Sequence, residues 1–366
     1  MSEKLTAISL FSGAGGMDVG FAKSNFDILF ANDIDRAACE TYNLNHTTKI
    51  KHGDLRSYFE ELKDHKGINV VFGGPPCQGF SVAGKMDPND DRSQLIWSFF
   101  DAVEVTKPDV FVCENVKALA VNKRWHAVRD GLIERAEALG YITTLIVLKA
   151  SDFGVPQARE RMFLIGIKKT RKKISSSELS EAINLCLAKK HRKPQTIRQL
   201  VKKLGPQGNP NNMRKCSAVI TFAKNPILRK SPYAGMLFNG AGRPINPDGV
   251  ALTLAASMGG NKTPIIDESE VFKNMDSYIE KYHQSLMNGR EPKEGIAPKR
   301  LRRITVDEAL AIQSFPKKYK LSGSQSSMYK QIGNAVPCKL AEAVGKTVHE
   351  ILDLTVPHFI EAHRST

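Results

Sequence analysis

From residue 7 to residue 167 the chain repeats one pattern: a short apolar run, a polar or glycine turn, then an amphipathic segment. The runs are Ala7 to Phe11 (AISLF), Asp27 to Ala31 (DILFA), Asn69 to Phe72 (NVVF), Asp109 to Cys113 (DVFVC), Tyr141 to Leu148 (YITTLIVL) and Met162 to Ile167 (MFLIGI). They read as buried strands, most of them separated by helical patterns. Such alternation points to an α/β fold with a doubly wound, mostly parallel sheet and helices on both faces. Ligands of such sheets sit at the carboxyl ends of the strands. After Ile167 the pattern stops. A basic stretch leads into a Gly/Pro/Asn-rich region, Gly205 to Asp267, that predicts a second, smaller domain of irregular build. Helical periodicity returns at Thr305 to Gln313, with Thr305 as N-cap and Glu308 at the capping-box position. Pro337 to Leu352 is amphipathic again and is expected to pack back on the first domain. The expected division is 1–185 plus 328–366 for one domain and 186–327 for the other.

Charge narrows the partners. Lys and Arg number 53 against 38 Asp and Glu, a formal net charge of +15, which favours a polyanion such as nucleic acid. Two-thirds of the excess is local: Lys168 to Lys203 holds twelve basic residues and two acidic ones. The six cysteines, Cys39, Cys77, Cys113, Cys186, Cys216 and Cys338, form no C-x-x-C pair. That argues against a zinc ribbon, a redox pair or a secreted disulfide framework, and no metal is expected. The opening MSEKLTAISLF lacks signal-peptide character and no apolar stretch is long enough to span a bilayer. A cytoplasmic protein without a membrane partner is expected.

The chemistry-bearing motifs fall at strand ends. Phe11-Ser12-Gly13-Ala14-Gly15-Gly16 follows the first run and opens a helix-like segment, a setting in which glycines let the backbone approach a ligand at a helix N-terminus. Asp33 and Asp54 follow the next strand units. Taken singly, each is more often a helix N-cap. Together with the glycine turn they describe a site for an adenosine-bearing cofactor, one carboxylate on the ribose and the other near the adenine. Gly73-Gly74-Pro75-Pro76-Cys77-Gln78-Gly79 then presents a thiol on a turn stiffened by two prolines, a candidate nucleophile. Glu114, in CENV, is a carboxyl group at a strand mouth that burial could keep protonated as a general acid. Arg159 and Arg161, two residues apart before the last run, would share a side if strand geometry starts there.

The order of these pieces resembles that of the DNA cytosine-5 methyltransferases of bacterial restriction-modification systems. FSGAGG, ANDID, GDL, PPCQGFS, ENV, QARERMFLIG, LRRITVDEALAIQSFP and QIGNAVP are similar to that family's ordered motifs and leave mainly 170–298 uncovered. The resemblance implies a Rossmann-like S-adenosylmethionine fold and methyl transfer to C5 of a flipped-out cytosine in double-stranded DNA, with S-adenosylhomocysteine as product. It implies Cys77 as nucleophile toward C6, Glu114 at N3 and the amino group, and Arg159 and Arg161 steadying the thiol and the base O2. Phe11, Gly13, Gly15 and Gly16 would hold the cofactor, Asp33 its ribose and Asp54 its adenine, and Asn334 would close the pocket. Ala335 departs from members that carry Ser there. The middle segment would be a target recognition domain. Its VALTLAA element resembles one that lies against DNA, which implies DNA contacts at Thr253 and Leu254 and, beside the nucleophile, at Ser81. Asn239, Arg243, Asn261 and Lys262 are candidate base readers by donor geometry, and the basic stretch would meet phosphates. A monomer is expected, with a cognate restriction endonuclease acting independently. The RNA-methylating branch of the family typically carries Cys-Phe-Thr in the recognition region, and here no Cys precedes Phe-Thr.

Overall fold

The computed structural model describes residues 4–76, 91–171 and 174–353. The chain forms two compact units, one of Met1–Phe153, Glu160–Arg192 and Val336–Thr366, the other of Gly154–Arg159 and Lys193–Ala335. Six residues from the middle of the first half thus join the second unit. Backbone pairing accounts for those six: Ala158 N donates to Ala251 O at 2.8 Å and Ala251 N to Pro156 O at 3.0 Å.

In the first unit the apolar runs become β1 (Leu5–Leu10), β2 (Phe26–Asp33), β4 (Val70–Gly73), β5 (Val110–Val116), β6 (Tyr141–Lys149) and β7 (Glu160–Lys168), with β3 (Lys51–His52) added at one edge. The strand order is β3-β2-β1-β4-β5-β7-β6. The first five strands pair in parallel, whereas β7 runs antiparallel to both β5 and β6. Between β6 and β7 lie only residues 150–159, with no α-helix, and a parallel return needs a longer crossover. This reversal matters for the site, because it lays the start of β7 beside the carboxyl end of β5, with Arg161 opposite Val116. It also lengthens β5 past Cys113, so that Glu114 and Asn115 are themselves strand residues.

Ile8, Leu10, Val71, Phe99, Phe100, Phe111 and Leu164 are among the side chains that pack the sheet against its helices. The helix Cys338–Asp353 returns onto this unit as expected, against α1 (Gly16–Lys23), where Ser24 Oγ donates to Glu342 O. In the second unit strands are short: Phe222–Ile227 pairs with Met236–Phe238 and Ile265–Asp267 with Leu301–Arg303, alongside helices that include Ile197–Leu204 and Tyr278–Met287. Ile220, Phe222, Leu237, Phe238, Ile265 and Tyr282 belong to its core. The Thr305/Glu308 capping box forms, and the buried Glu308 carboxylate also takes two bonds from Arg302, at 2.6 and 2.8 Å, and one from Asn212. A buried ion pair is tolerable when its hydrogen-bonding capacity is met in this way. No helix of the described residues is long and apolar enough to cross a membrane.

Candidate active site

The glycine turn leaves β1 with three residues in the left-handed region: Phe11 (φ 53°), Gly13 (φ 53°) and Gly15 (φ 79°). An aromatic residue there is uncommon and persists only where its surroundings over-determine it. Here Ser12 N donates to Asn32 O, Gly15 N to Ser12 O, and Gly13 N to Asp33 Oδ2 at 2.7 Å. Asp33 also accepts from Asp35 N through Oδ1 at 2.8 Å, so the carboxylate expected at a ribose first fixes the turn from β2. Burial pushes its carboxyl group up from the ordinary value. Nothing lies within 4 Å of the place a Gly13 Cβ would take, so the turn faces open space on that side, which fits a bound cofactor. Asp54 caps the short turn Leu55–Tyr58 through Arg56 N, and Arg56 Nη2 lies 2.6 Å from its Oδ2. That bond to Arg56 holds the Asp54 carboxyl below the usual range. The cap is the ordinary role of such an aspartate; the arginine on its side chain is an addition that the GDL triplet does not signal.

At the next strand mouth Glu114 is buried, and its Oε1 lies 2.9 Å from Arg161 Nε. The carboxyl group is therefore not enclosed by apolar groups alone: a guanidinium faces it. Its Oε2 sits 2.7 Å from the position of a Gly74 Cβ, so a side chain at residue 74 would force the carboxyl group or the backbone to shift. Asn115 Nδ2 donates to Pro75 O at 3.1 Å. Asn115 is thus fastened onto the Gly74-Pro75-Pro76 segment that precedes Cys77 in sequence, and the Glu114 carboxyl group lies against Gly74. Gly74 and Asn115 escape a reading of the sequence, although the double glycine and the ENV triplet are both plain in it. Cys77 and Ser81 lie outside the described residues.

The two arginines do not share a face. Strand geometry begins at Glu160, and Arg159 belongs to the second unit, where it is buried. Its Nη1 donates to Leu254 O and its Nη2 to Gly333 O, both at 2.9 Å. Gly333 itself packs so closely that a Cβ would meet Ala255 O at 2.3 Å. Arg159 and the glycine of QIGN therefore clasp the TLAA element, with Gln157 Oε1 accepting from Leu254 N. Leu254 is buried in this clasp, so its side chain is unavailable for a DNA contact; the exposed neighbours are Leu252 and Thr253. Asn334 ends the helix Gln325–Asn334 and is exposed. Among the candidate readers Arg243, Asn261 and Lys262 are exposed, while Asn239 commits its amide hydrogens to Thr221 Oγ1 and Phe222 O. In the basic stretch Arg171, Lys190 and Arg198 are tied to Asp109, Glu350 and Asp248. Lys169, Lys193 and Lys203 are exposed and make no ion pair among the described residues.

The sequence matches the family described as C-5 cytosine-specific DNA methylase over residues 5–350. It is 33% identical over 349 residues to the type II methyltransferase M.FnuDI of Fusobacterium nucleatum, covering 94% of each chain. To M.NgoPII of Neisseria gonorrhoeae it is 30% identical over 349 residues, 94% of this chain and 96% of that one. The crystal structure of S. pombe Dnmt2 methyltransferase superposes with a TM-score of 0.66 at 19% identity, over 96% of this chain and 100% of that one, a likeness of fold. With nearly its whole length matched, the chain belongs to the C-5 cytosine-specific DNA methylase family.

Proposed function

We propose that this DNA cytosine-5 methyltransferase acts on a flipped-out cytosine within a specific double-stranded sequence, through a covalent bond between Cys77 and C6. When bound, S-adenosylmethionine supplies an electrophilic methyl group on sulfur. The observation that supports the reading is the Arg161-paired Glu114 carboxyl group beside Gly74, with Asn115 bonded to Pro75 O. It does so because Gly74 stands three residues before Cys77 in the sequence.

In this reading the Cys77 thiolate adds to C6 while Glu114 delivers a proton to N3, so the electron pair gathers at C5 as an enamine. C5 would take the methyl group and leave S-adenosylhomocysteine; a base then removes the C5 proton, N3 returns its proton to Glu114, and the thiolate is expelled as the C5–C6 double bond re-forms. Arg161 orients Glu114 and offers donors toward the base O2. Arg159 acts at one remove, by shaping the TLAA element. Phe11, Gly13, Gly15 and Gly16 form the cofactor cradle with Asp33 behind it, and Asp54 reaches the adenine only if Arg56 gives way. Thr253, Arg243 and Lys262 face the DNA from the recognition domain, and a separate endonuclease cleaves the unmethylated site. Bisulfite sequencing of DNA from cells expressing the protein tests reaction and target together. Methylated cytosines in one sequence context are expected, and unmethylated DNA would reject the reading.

A further inference from the structure

The two loops that carry the candidate base readers are joined to each other and to one buried arginine. Asn239 to Arg243 follows the strand Met236–Phe238, and Gly259 to Thr263 precedes the strand Ile265–Asp267. Gly242 N donates to Asn261 O at 3.2 Å, Ile265 N to Arg243 O at 3.0 Å and Ile245 N to Ile265 O at 2.9 Å. Two glycines permit so close an approach. A Cβ on Gly242 would stand 2.0 Å from Thr263 O, and one on Gly240, which sits at φ 87°, 2.2 Å from Asn261 O. Arg243, Asn261 and Lys262 are exposed, and Arg243 and Lys262 line a cleft of about 210 Å³ together with Leu252 and Thr253.

Arg303 ends the strand Leu301–Arg303 and is fully buried. Its Nη1 donates to Thr263 O and its Nη2 to Asn239 O at 3.3 Å, so one guanidinium bonds to both loops. Its Nε is buried without a hydrogen-bond partner, and Arg303 forms no ion pair among the described residues. Arg302 beside it, by contrast, is paired with Glu268 and Glu308. A buried cation without a carboxylate is costly, and an apolar side chain of similar volume would fill the same space at less cost. What Arg303 supplies, and such a side chain cannot, is a rigid planar fork between two backbone carbonyls.

We infer that Arg303 is a positioning residue for sequence recognition: its fork fixes the spacing of the two loops, and with it the joint placement of Arg243 and Lys262 beside Thr253. Being fully buried, it acts through those loops and not on the duplex. The inference rests on the reading of the middle segment as the target recognition domain.

The test is discrimination by the full chain: the ratio of kcat/KM for the parent's own target duplex, found by bisulfite sequencing, to that for duplexes changed at one base pair. The ratio does not depend on how much of the enzyme is active, so a loss of stability alone leaves it unmoved. Arg303→Met removes both bonds, and Arg303→Lys keeps the charge without the fork. In both, the ratio should fall about 5- to 100-fold at one or two positions, the worth of a good base contact. The loss should enter through KM, with kcat on the target duplex and the affinity for S-adenosylhomocysteine within about twofold of the parent's. The parent's ratio in folded Arg303→Met would overturn the inference, and so would the parent's ratio in Arg303→Lys, since charge alone would then suffice. Should both fail to fold by circular dichroism, Gly240→Ala decides, because its methyl group wedges the loops at Asn261 with Arg303 intact. Lost discrimination is expected there, and a parent-like ratio overturns the inference. A parent that methylates all duplexes alike would reject the recognition reading itself.

Discussion

Gly74→Ala perturbs the proposed acid without touching either its charge or its arginine. Gly74 does not lie in the left-handed region, so alanine meets no backbone strain. The new methyl would stand 2.7 Å from Glu114 Oε2, where ordinary contact begins near 3.4 Å. The carboxyl group, held on its other side by Arg161, must retreat by about 0.7 Å or the Gly74-Pro75-Pro76 turn must lift by as much. Displacements near 1 Å at a reacting centre cost up to about 100-fold in rate, so a slowing of the chemical step by roughly 10- to 100-fold is expected. Cofactor affinity should be unchanged, because the glycine turn follows a different strand. Single-turnover transfer of a tritiated methyl group to duplex DNA reads the step directly. A parent-like rate in a folded Gly74→Ala protein would remove Glu114 from the reaction, since the acid would then tolerate misplacement.

Three other perturbations separate the roles assigned to neighbouring residues. Arg159→Ala leaves the carbonyls of Leu254 and Gly333 buried without their donor and should destabilise the protein by about 2 to 4 kcal/mol, read by denaturant unfolding; a change under about 0.5 kcal/mol would contradict the clasp. Exchanging Lys169, Lys193 and Lys203 for Gln should weaken binding to all duplexes alike and flatten log K against log salt by about 0.9 for each phosphate no longer neutralised, with sequence preference kept; an altered preference with the slope intact would show the stretch reading bases. Asp18 titrates near 3.8 when unfolded and about 7 when folded, so stability should fall as pH rises between those values and level off above. Asp18→Asn should flatten that fall, by on the order of a few kcal/mol in urea titrations, and an identical pH profile would show that Asp18 does not titrate there.

What the sequence disclosed follows from how each signal arises. Strands buried on both faces must be apolar throughout, so β1, β4, β5 and β7 are visible as runs; β2 and β6 alternate in burial but stay largely apolar, whereas β3 is the two residues Lys51 and His52 and carries no such signature. The direction of β7 is not written in its composition. It follows from the short link at 150–159, and with it the meeting of Arg161 and Glu114. Arg159 and Arg161 are near neighbours in sequence but are claimed by different units, because Pro156 and Ala158 pair with Ala251, a long-range fact that spacing cannot encode. Leu254 and Leu252 look alike in VALTLAA, yet one is core and the other exposed. Asp18 reads as an ordinary first-turn acid until Tyr42 and Ser9 are seen around it.

The central claim is a covalent bond from Cys77 to the target base, and duplex DNA carrying 5-fluorocytosine at the methylated position tests it most directly. Fluorine cannot leave C5 as a proton does, so after methyl transfer the thiolate is not expelled and the adduct persists. With S-adenosylmethionine present, peptide mapping by mass spectrometry should find the modified nucleotide, one methyl group heavier, on the peptide that contains Cys77. The account is contradicted if the adduct sits on a peptide without Cys77, or if fluorinated DNA is bound and released unmodified while the normal duplex is methylated.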